Sequence, residues 1–175
     1  MYNPPMNRFK TIQPDELKEN VFRLIGKDWM LITAEKDGAV NMMTASWGGL
    51  GFLWNKPVAT IFIRPSRYTK EFVDSEDTFS LCFLPDSKRR ILDWCGANSG
   101  RNGDKVAATG LTVEHINGTP WFSESRLVLI CRKLYSQDMD PFCFTDTKIC
   151  SQNYRNNDFH TLYIAAIEKV MVCTK

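Results

Sequence analysis

Three polar segments of the sequence carry residues that could bind a phosphorylated aromatic ligand. In the first, residues 41–49 (NMMTASWGG), an apolar run ends in hydroxyl groups, a tryptophan and two glycines. Glycines let main-chain N–H groups approach a ligand closely, and hydroxyl groups donate to phosphate oxygens. Trp47 adds a flat aromatic face for a ring. An ordinary strand-to-loop transition is the alternative interpretation, because Gly and Ser are common in loops.

The other two segments add positive charge. Residues 64–69 (RPSRYT) bring two arginines, two hydroxyl groups and a phenol to the start of a predicted short helix, an arrangement that suits an anion. Residues 98–105 (NSGRNGDK) form a glycine-containing polar loop with two cations that could close over a phosphate or a ring. A solvated turn and a mobile surface loop are the respective alternatives. The three segments together are more telling than any one of them.

Few other side chains suggest chemistry. The two histidines, His115 and His160, have no further metal ligands at a suitable spacing, so we predict no metal site. His160 follows Asp158 and Phe159 at the head of the last predicted strand, where a structural and a functional role are both open. No Ser-His-Asp arrangement suggests a nucleophile.

The cysteines do not form a recognisable motif. None of the six is arranged as C-x-x-C, and they are predicted to be reduced and structural. Cys143 and Cys150 lie in a polar loop, and a redox-active thiol stays open for them.

Composition limits the classes of protein to consider. The 175 residues fit a single domain over 1–175, and 43% hydrophobic with 24% charged residues is typical of a soluble globular protein. A net charge of +2 gives no indication of a nucleic-acid or membrane partner. No stretch approaches the ~20 apolar residues of a membrane span, and residues 1–10 lack a signal-peptide core. We therefore expect a cytoplasmic protein.

The elements that must position these residues are mostly strands. Asp37-Gly38 predicts a tight hairpin turn, and long β-branched and aromatic runs predict the strands around it. The predicted strands are 29–35, 39–45, 58–64, 78–84, 111–115, 126–137 and 161–173, and the predicted helices are 14–26, 68–75 and 86–95. Strands and helices do not alternate, and neither G-x-G-x-x-G nor a P-loop motif occurs. This order favours a closed or split barrel.

The sequence resembles the flavin-reductase-like, FMN-binding split-barrel family, and within it the flavoredoxin-like branch. Five segments in family order carry the resemblance: NMMTASWGG (41–49), KPVATIFIRPSRYT (56–69), SGRNGDK (99–105), LVLICRKLY (127–135) and DFHTLYI (158–164). The resemblance implies a mainly β fold, a six-stranded antiparallel split barrel with flanking short helices. It also implies a homodimer with FMN near the subunit interface.

The resemblance further implies a role for each segment. The flavin ring and ribityl chain would be lined by Thr44, Ala45, Ser46 and Trp47; the phosphate end would be reached by Arg64, Arg67, Tyr68 and Thr69; and the pocket would be closed by Ser99, Gly100, Arg101 and Lys105. His160 would be the catalytic residue, near the flavin or the approach of a nicotinamide. The sequence departs from the family's Gly-Asp-His by inserting Phe159, and it has Ala165-Ala166 in place of Gly-Glu.

Two redox functions follow from the resemblance. The first is an NAD(P)H-dependent flavin reductase, with NADH or NADPH as substrate and a flavin as cofactor or acceptor. The alternative is an FMN electron carrier that exchanges electrons with a partner redox protein and does not turn over NAD(P)H. A third, non-redox alternative is a module that stores or senses flavin.

Overall fold

The computed structural model describes residues 8–174, in which β-strands dominate. The strands are β1 (Phe9–Ile12), β2 (Met30–Lys36), β3 (Ala39–Ala45), β4 (Gly48–Leu53), β5 (Lys56–Ile63), β6 (Thr78–Phe83), β7 (Val113–Ile116), β8 (Thr119–Phe122), β9 (Leu127–Asp138) and β10 (Thr161–Cys173). The helices are α1 (Val21–Arg23), which continues as a π-turn over Leu24–Asp28, α2 (Thr69–Ser75), α3 (Arg89–Ala97), α4 (Lys105–Thr109) and α5 (Thr147–Asn153). Short 3₁₀ turns cover Pro14–Glu16, Asp86–Lys88, Gly100–Asn102 and Pro141–Cys143.

Eight strands form one antiparallel sheet in the order β3-β2-β6-β9-β10-β5-β4, with β1 also paired to β10. The first half of β10 pairs with β5 and its last four residues pair with β1. Two irregularities in the β9–β10 register, at Ile164/Ala165 and at Ile167/Lys169, bend this long strand. β7 and β8 form a separate hairpin. The predicted mainly β fold is confirmed, but the count of six strands is wrong, because β1 and β4 extend the sheet to eight.

The sheet is covered on both faces, so its inner strands are apolar on both sides. One core cluster, which includes Met30, Ile32, Phe79 and Tyr163, fills the inside of the barrel. A second cluster lies between the other face of the sheet and the layer of α3 and the β7–β8 hairpin, and Trp121 is fully buried in it. Among residues 8–174, no helix is both long enough and apolar enough to span a membrane.

The predicted helix over 14–26 is wrong in its middle. The 3₁₀ turn ends at Glu16, Leu17 is extended, and a new helical start follows at Val21. Asn20 causes this restart because its side-chain oxygen accepts a hydrogen bond from the main-chain N–H of Arg23.

The six thiols are free in the structure. Cys82, Cys95 and Cys131 are buried, Cys143 is exposed, and Cys150 and Cys173 are half-buried. Burial raises the pKa of the Cys82 and Cys95 thiols, which keeps them protonated and unreactive.

Candidate functional site

A cleft of about 250 Å³ lies where β3 and β5 end and β10 begins. It is lined by Met43, Thr44, Ala45, Ser46, Trp47, Phe62, Arg64, Arg67 and His160. A narrower cavity of about 50 Å³ adjoins it and is lined by Asn41, Met43, Ser66, Arg67, Tyr68, Thr69, Asn98, Ser99, Gly100 and Lys105. Met43 and Arg67 line both spaces. The fold thus brings the three polar segments together around one site.

Of the thirteen predicted site residues, Arg101 alone lines neither space. Its guanidinium pairs with the Glu71 carboxylate at 2.5 Å and donates to the main-chain oxygen of Ser66 at 3.1 Å. The same guanidinium lies 4.9 Å from the ring centroid of Tyr68. Arg101 therefore stabilises residues 98–105 from the outside through its contacts with Ser66 and Glu71, and it is not directed into the cleft.

Two other predicted cations are already engaged by protein groups. The Lys105 ammonium is buried and donates to the carbonyl oxygens of Met42 at 2.9 Å and Cys95 at 2.8 Å. Burial lowers the pKa of Lys105. Arg64 forms an ion pair with Asp158 at 2.7 Å and donates to the carbonyl oxygen of Asn153 at 2.9 Å. Both side chains therefore stabilise the walls of the site.

Arg67 is the predicted cation with the most freedom to bind a ligand. Its Nη1 donates to the carbonyl oxygen of Gly96 at 3.1 Å, and within residues 8–174 it has no acidic partner. The side chain is exposed and stands at the junction of the cleft and the narrower cavity. A guanidinium in this position can bind an anion with two parallel hydrogen bonds.

Gly100 allows the close contact that forms the narrow end of the site. A Cβ atom at this position would lie 2.3 Å from Oδ1 of Asn41 and 3.0 Å from Cδ1 of Tyr68. Asn41 cannot easily move, because it is buried and its Nδ2 donates to Oγ1 of Thr69 at 2.9 Å. Any side chain at residue 100 would therefore displace the wall of the site.

Aromatic groups line the opposite end. Trp47 is 47% exposed, and its ring centroid lies 5.2 Å from that of His160. Phe62 meets the His160 ring edge-on at 6.4 Å. Thr44 donates its hydroxyl hydrogen to the carbonyl oxygen of Leu92 at 2.5 Å, which ties the end of β3 to α3. This end offers flat apolar surfaces to a planar ring.

His160 is buried and electrically neutral. Its Nδ1 is 2.8 Å from the hydroxyl oxygen of Tyr154. Burial, followed by the nearby Arg64 guanidinium, lowers the pKa of His160 from 6.5 to about 4. The imidazole therefore carries no charge at neutral pH and acts there as a hydrogen-bonding group.

Sequence reasoning missed several side chains that line or support the site. Met43 and Phe62 line the cleft, but each reads as an ordinary strand residue. Tyr154 precedes His160 by six residues in a stretch without periodicity, so no spacing indicates their contact. Within the described part of the chain, no group of three or more His, Cys, Asp or Glu side chains is placed to hold a metal ion.

The family whose description is Flavin reductase like domain matches residues 22–175. The chain belongs to this family. No curated protein matches it in sequence. The flavin-reductase-like recognition is therefore confirmed at the level of the family.

Solved structures agree with this assignment in fold. An FMN-binding domain of a flavin reductases-like enzyme from Shewanella baltica superimposes with a TM-score of 0.68 at 17% identity, over 94% of this chain and 77% of that one. Flavoredoxin from Methanosarcina acetivorans gives a TM-score of 0.64 at 21% identity, over 82% and 67% of the two chains. The styrene monooxygenase flavin reductase from Pseudomonas putida gives 0.60 at 14% identity, over 84% and 81%.

The donor set of the cleft fits the flavin cofactor of this family. One end carries the Trp47 and Phe62 rings, which suit a planar heterocycle, and the other carries the Arg67 guanidinium, which suits a phosphate. Ser46 lines the cleft and Ser66 lines the narrower cavity, and neither hydroxyl group donates to a protein atom within residues 8–174. An amphipathic ligand with an aromatic and an anionic end matches this order.

Proposed function

We propose that this flavin-reductase-like chain binds FMN in the cleft and acts as an NAD(P)H-dependent flavin reductase. The observation that carries the proposal is the arrangement of one cleft with aromatic rings at one end and Arg67 at the other. The family match adds the class of cofactor. The structures of FMN-binding and flavin reductase proteins with the same fold are consistent with it.

Bound FMN supplies the acceptance and return of a hydride, and the protein supplies binding, orientation and electrostatics. Arg67, which lines the site, would bind the phosphate with a charge-assisted hydrogen bond. Trp47 and Phe62 would orient the ring, and the Ser46 hydroxyl group, which lines the same cleft, would be available as a donor to it. His160, neutral at physiological pH, provides a polar contact at the aromatic end without adding positive charge.

One chain encloses only part of such a ligand. The cleft of about 250 Å³ and the adjoining cavity of about 50 Å³ together reach only the lower limit of the ~300–1,000 Å³ of typical ligand sites. A second copy of the chain would cover the remainder, which supports the proposed homodimer with FMN near its interface. Neither a nucleic acid nor a membrane is part of this proposal.

The second candidate function is an FMN electron carrier that serves a protein partner. The specific observation in its favour is that flavoredoxins from Methanosarcina acetivorans and Desulfovibrio vulgaris share the fold. The same cleft serves both functions. They differ in whether NAD(P)H reaches the ring directly.

Visible spectroscopy and calorimetry test the proposal in two steps. The purified protein is expected to bind FMN with one site per chain and to turn yellow. Anaerobic addition of NADH or NADPH is then expected to bleach the flavin band. Absence of FMN binding at high micromolar concentration contradicts the cofactor assignment. Binding without bleaching by either nucleotide, but with bleaching by a reduced ferredoxin, supports the carrier in place of the reductase.

A further inference from the structure

Tyr154 is held in a single position beside His160. It lies between α5 and β10 and is 6% exposed. The Phe159 ring stacks on it with centroids 4.7 Å apart, and the Arg64 guanidinium lies 5.0 Å from its ring centroid. Arg64 is fixed in turn by its ion pair with Asp158. The tyrosine hydroxyl therefore has a defined place, 2.8 Å from Nδ1 of His160.

The direction of this hydrogen bond follows from the acceptors within reach. The Tyr154 hydroxyl faces two of them: Nδ1 of His160 at 2.8 Å and the sulfur of Met139 at 3.6 Å. A thioether sulfur is a weak acceptor, whereas a bare imidazole nitrogen is a strong one. The O–H group therefore donates to Nδ1. A neutral imidazole whose Nδ1 accepts carries its proton on Nε2.

The surroundings of His160 keep the ring neutral. Burial and the guanidinium groups of Arg64 and Arg67 lower the pKa of His160, against an opposing effect of the Asp158 carboxylate. These groups and Tyr154 are the charged and titratable side chains that act on the ring. His160 also lines the cleft, and within residues 8–174 its Nε2 makes no hydrogen bond to the protein.

We propose that Tyr154 is a positioning residue that fixes His160 as a neutral Nε2–H donor for a carbonyl oxygen of the bound ligand. A ring carbonyl or a carboxamide has the acceptor chemistry that this donor requires. The donation from His160 to a bound ligand rests on the proposed function. The protonation state of His160 does not, because it is set by the protein alone.

A nitrogen-labelled sample without any ligand tests the protonation state directly. Two-bond proton–nitrogen correlation spectra distinguish a protonated ring nitrogen from a bare one. The wild-type protein is expected to show His160 with a bare Nδ1 and a protonated Nε2 at neutral pH. His115 is the other histidine of the chain, so a His115→Gln sample assigns the two sets of signals.

Tyr154→Phe keeps the stacked ring and removes the hydroxyl. The bare-Nδ1 form of His160 is then expected to give way to a mixture of both tautomers, and its pKa to rise, because the bond that favours the neutral form is gone. Tyr135→Phe is the matched control, since that tyrosine is 41% exposed and donates to Gln137 away from His160. A wild-type spectrum with Nδ1 protonated overturns the proposal. So does a Tyr154→Phe spectrum identical to wild type.

Anaerobic stopped-flow reduction of the FMN-loaded protein tests the proposed hydrogen bond from His160 to the ligand. Tyr154→Phe is expected to slow flavin reduction about three- to tenfold, the size of one neutral hydrogen bond, with an unchanged Kd for FMN. In a His160→Ala background the same change is expected to have no further effect. Additive losses overturn the shared role of the two residues. A failure of the wild-type protein to bind FMN overturns the proposed function and leaves the tautomer result standing.

Discussion

At the scale of single residues, the predicted cations of the site differ in whether other protein groups already bind them. Lys105 and Arg101 look equivalent to Arg67 in the sequence, yet the first is buried between carbonyl groups and the second pairs with Glu71. A charged group that is satisfied by the protein gains little from an additional ligand. Ligand binding should therefore depend most strongly on Arg67.

Arg67→Ala is expected to weaken FMN binding more than tenfold and to change riboflavin binding much less. A hydrogen bond to a charged partner contributes ~1.5–3 kcal/mol, and riboflavin has no phosphate to receive it. Isothermal titration with both ligands measures the difference. Arg90→Ala is the matched control, because that arginine is exposed on α3 and lines neither cavity. Equal losses for FMN and riboflavin would show that Arg67 does not bind the phosphate.

Gly100→Ala is expected to destabilise the protein and to weaken FMN binding together. The added methyl group would lie 2.3 Å from Oδ1 of the buried Asn41, and such overpacking costs ~1–3 kcal/mol. Urea denaturation and calorimetry measure the two effects. Gly26→Ala is the control, since a Cβ there meets no atom within 4 Å. A Gly100→Ala protein with wild-type stability would show that the Asn41 side chain can move aside without loss of stability.

The His160 pKa makes stability depend on pH. Its value falls from 6.5 to about 4 on folding, so the unfolded chain binds up to one more proton between these limits. The free energy of unfolding is therefore expected to decrease as the pH is lowered through this window, by up to ~1.4 kcal/mol per pH unit. His160→Gln should remove this part of the slope, measured by urea denaturation across the window. An unchanged slope would show that His160 is not the responsible group.

At the scale of elements, the sequence predicts best where periodicity is long and turns are chemically explicit. β3 and β10 have the predicted bounds, and Asp37-Gly38 forms the expected turn, with φ values of 52° and 76°. β4 is not predicted from the sequence, because its three glycines interrupt the alternation of apolar and polar residues that marks a strand. The β7–β8 hairpin turns at Asn117-Gly118, a dipeptide that is itself a sequence signal for a tight hairpin turn.

The polar segment around Gly100 shows why the site itself was harder to predict. Its composition predicts a loop, but Asp104 caps α4 by accepting from Val106 and Ala107, and Gly110 ends that helix at a φ of 66°. Lys105 thereby begins a helix and points inward. Which cations are free depends on contacts such as Arg64 with Asp158, 94 residues apart, and local spacing contains no information on them.

The connection between β9 and β10 is expected to depend on the Arg64–Asp158 pair. Asp158→Ala removes the 2.7 Å contact between partly buried groups, which should cost about 1 kcal/mol and increase hydrogen exchange in α5. Mass-spectrometric exchange reports this locally. Asp93→Ala, on the exposed 3.8 Å pair with Arg89, should leave both stability and exchange unchanged. Unaltered exchange in α5 of Asp158→Ala would show that other contacts hold the connection.

At the scale of the whole molecule, exposed aromatic groups indicate where a second copy would bind. The β4–β5 hairpin presents Phe52, Leu53 and Trp54 with exposed fractions of 71%, 39% and 53%. β4 is also an edge strand of the sheet, with one side free of pairing within the described residues. Trp121 is fully buried and cannot contribute to such a contact. Large aromatic side chains are enriched in the cores of interfaces, which makes this hairpin the expected contact.

Light scattering is expected to give twice the mass of one chain for the FMN-loaded protein, since a C2 dimer is the commonest closed assembly. Phe52→Asp should shift this mass toward the monomer, because a carboxylate in an apolar interface loses its hydration without gaining a partner. FMN binding should weaken in parallel, since one chain encloses only part of the ligand. Phe142→Asp is the matched control, because that side chain is 95% exposed in the β9–β10 connection. A monomeric, FMN-saturated wild-type protein would rule out the dimer and require the cleft of a single chain to hold the cofactor by itself.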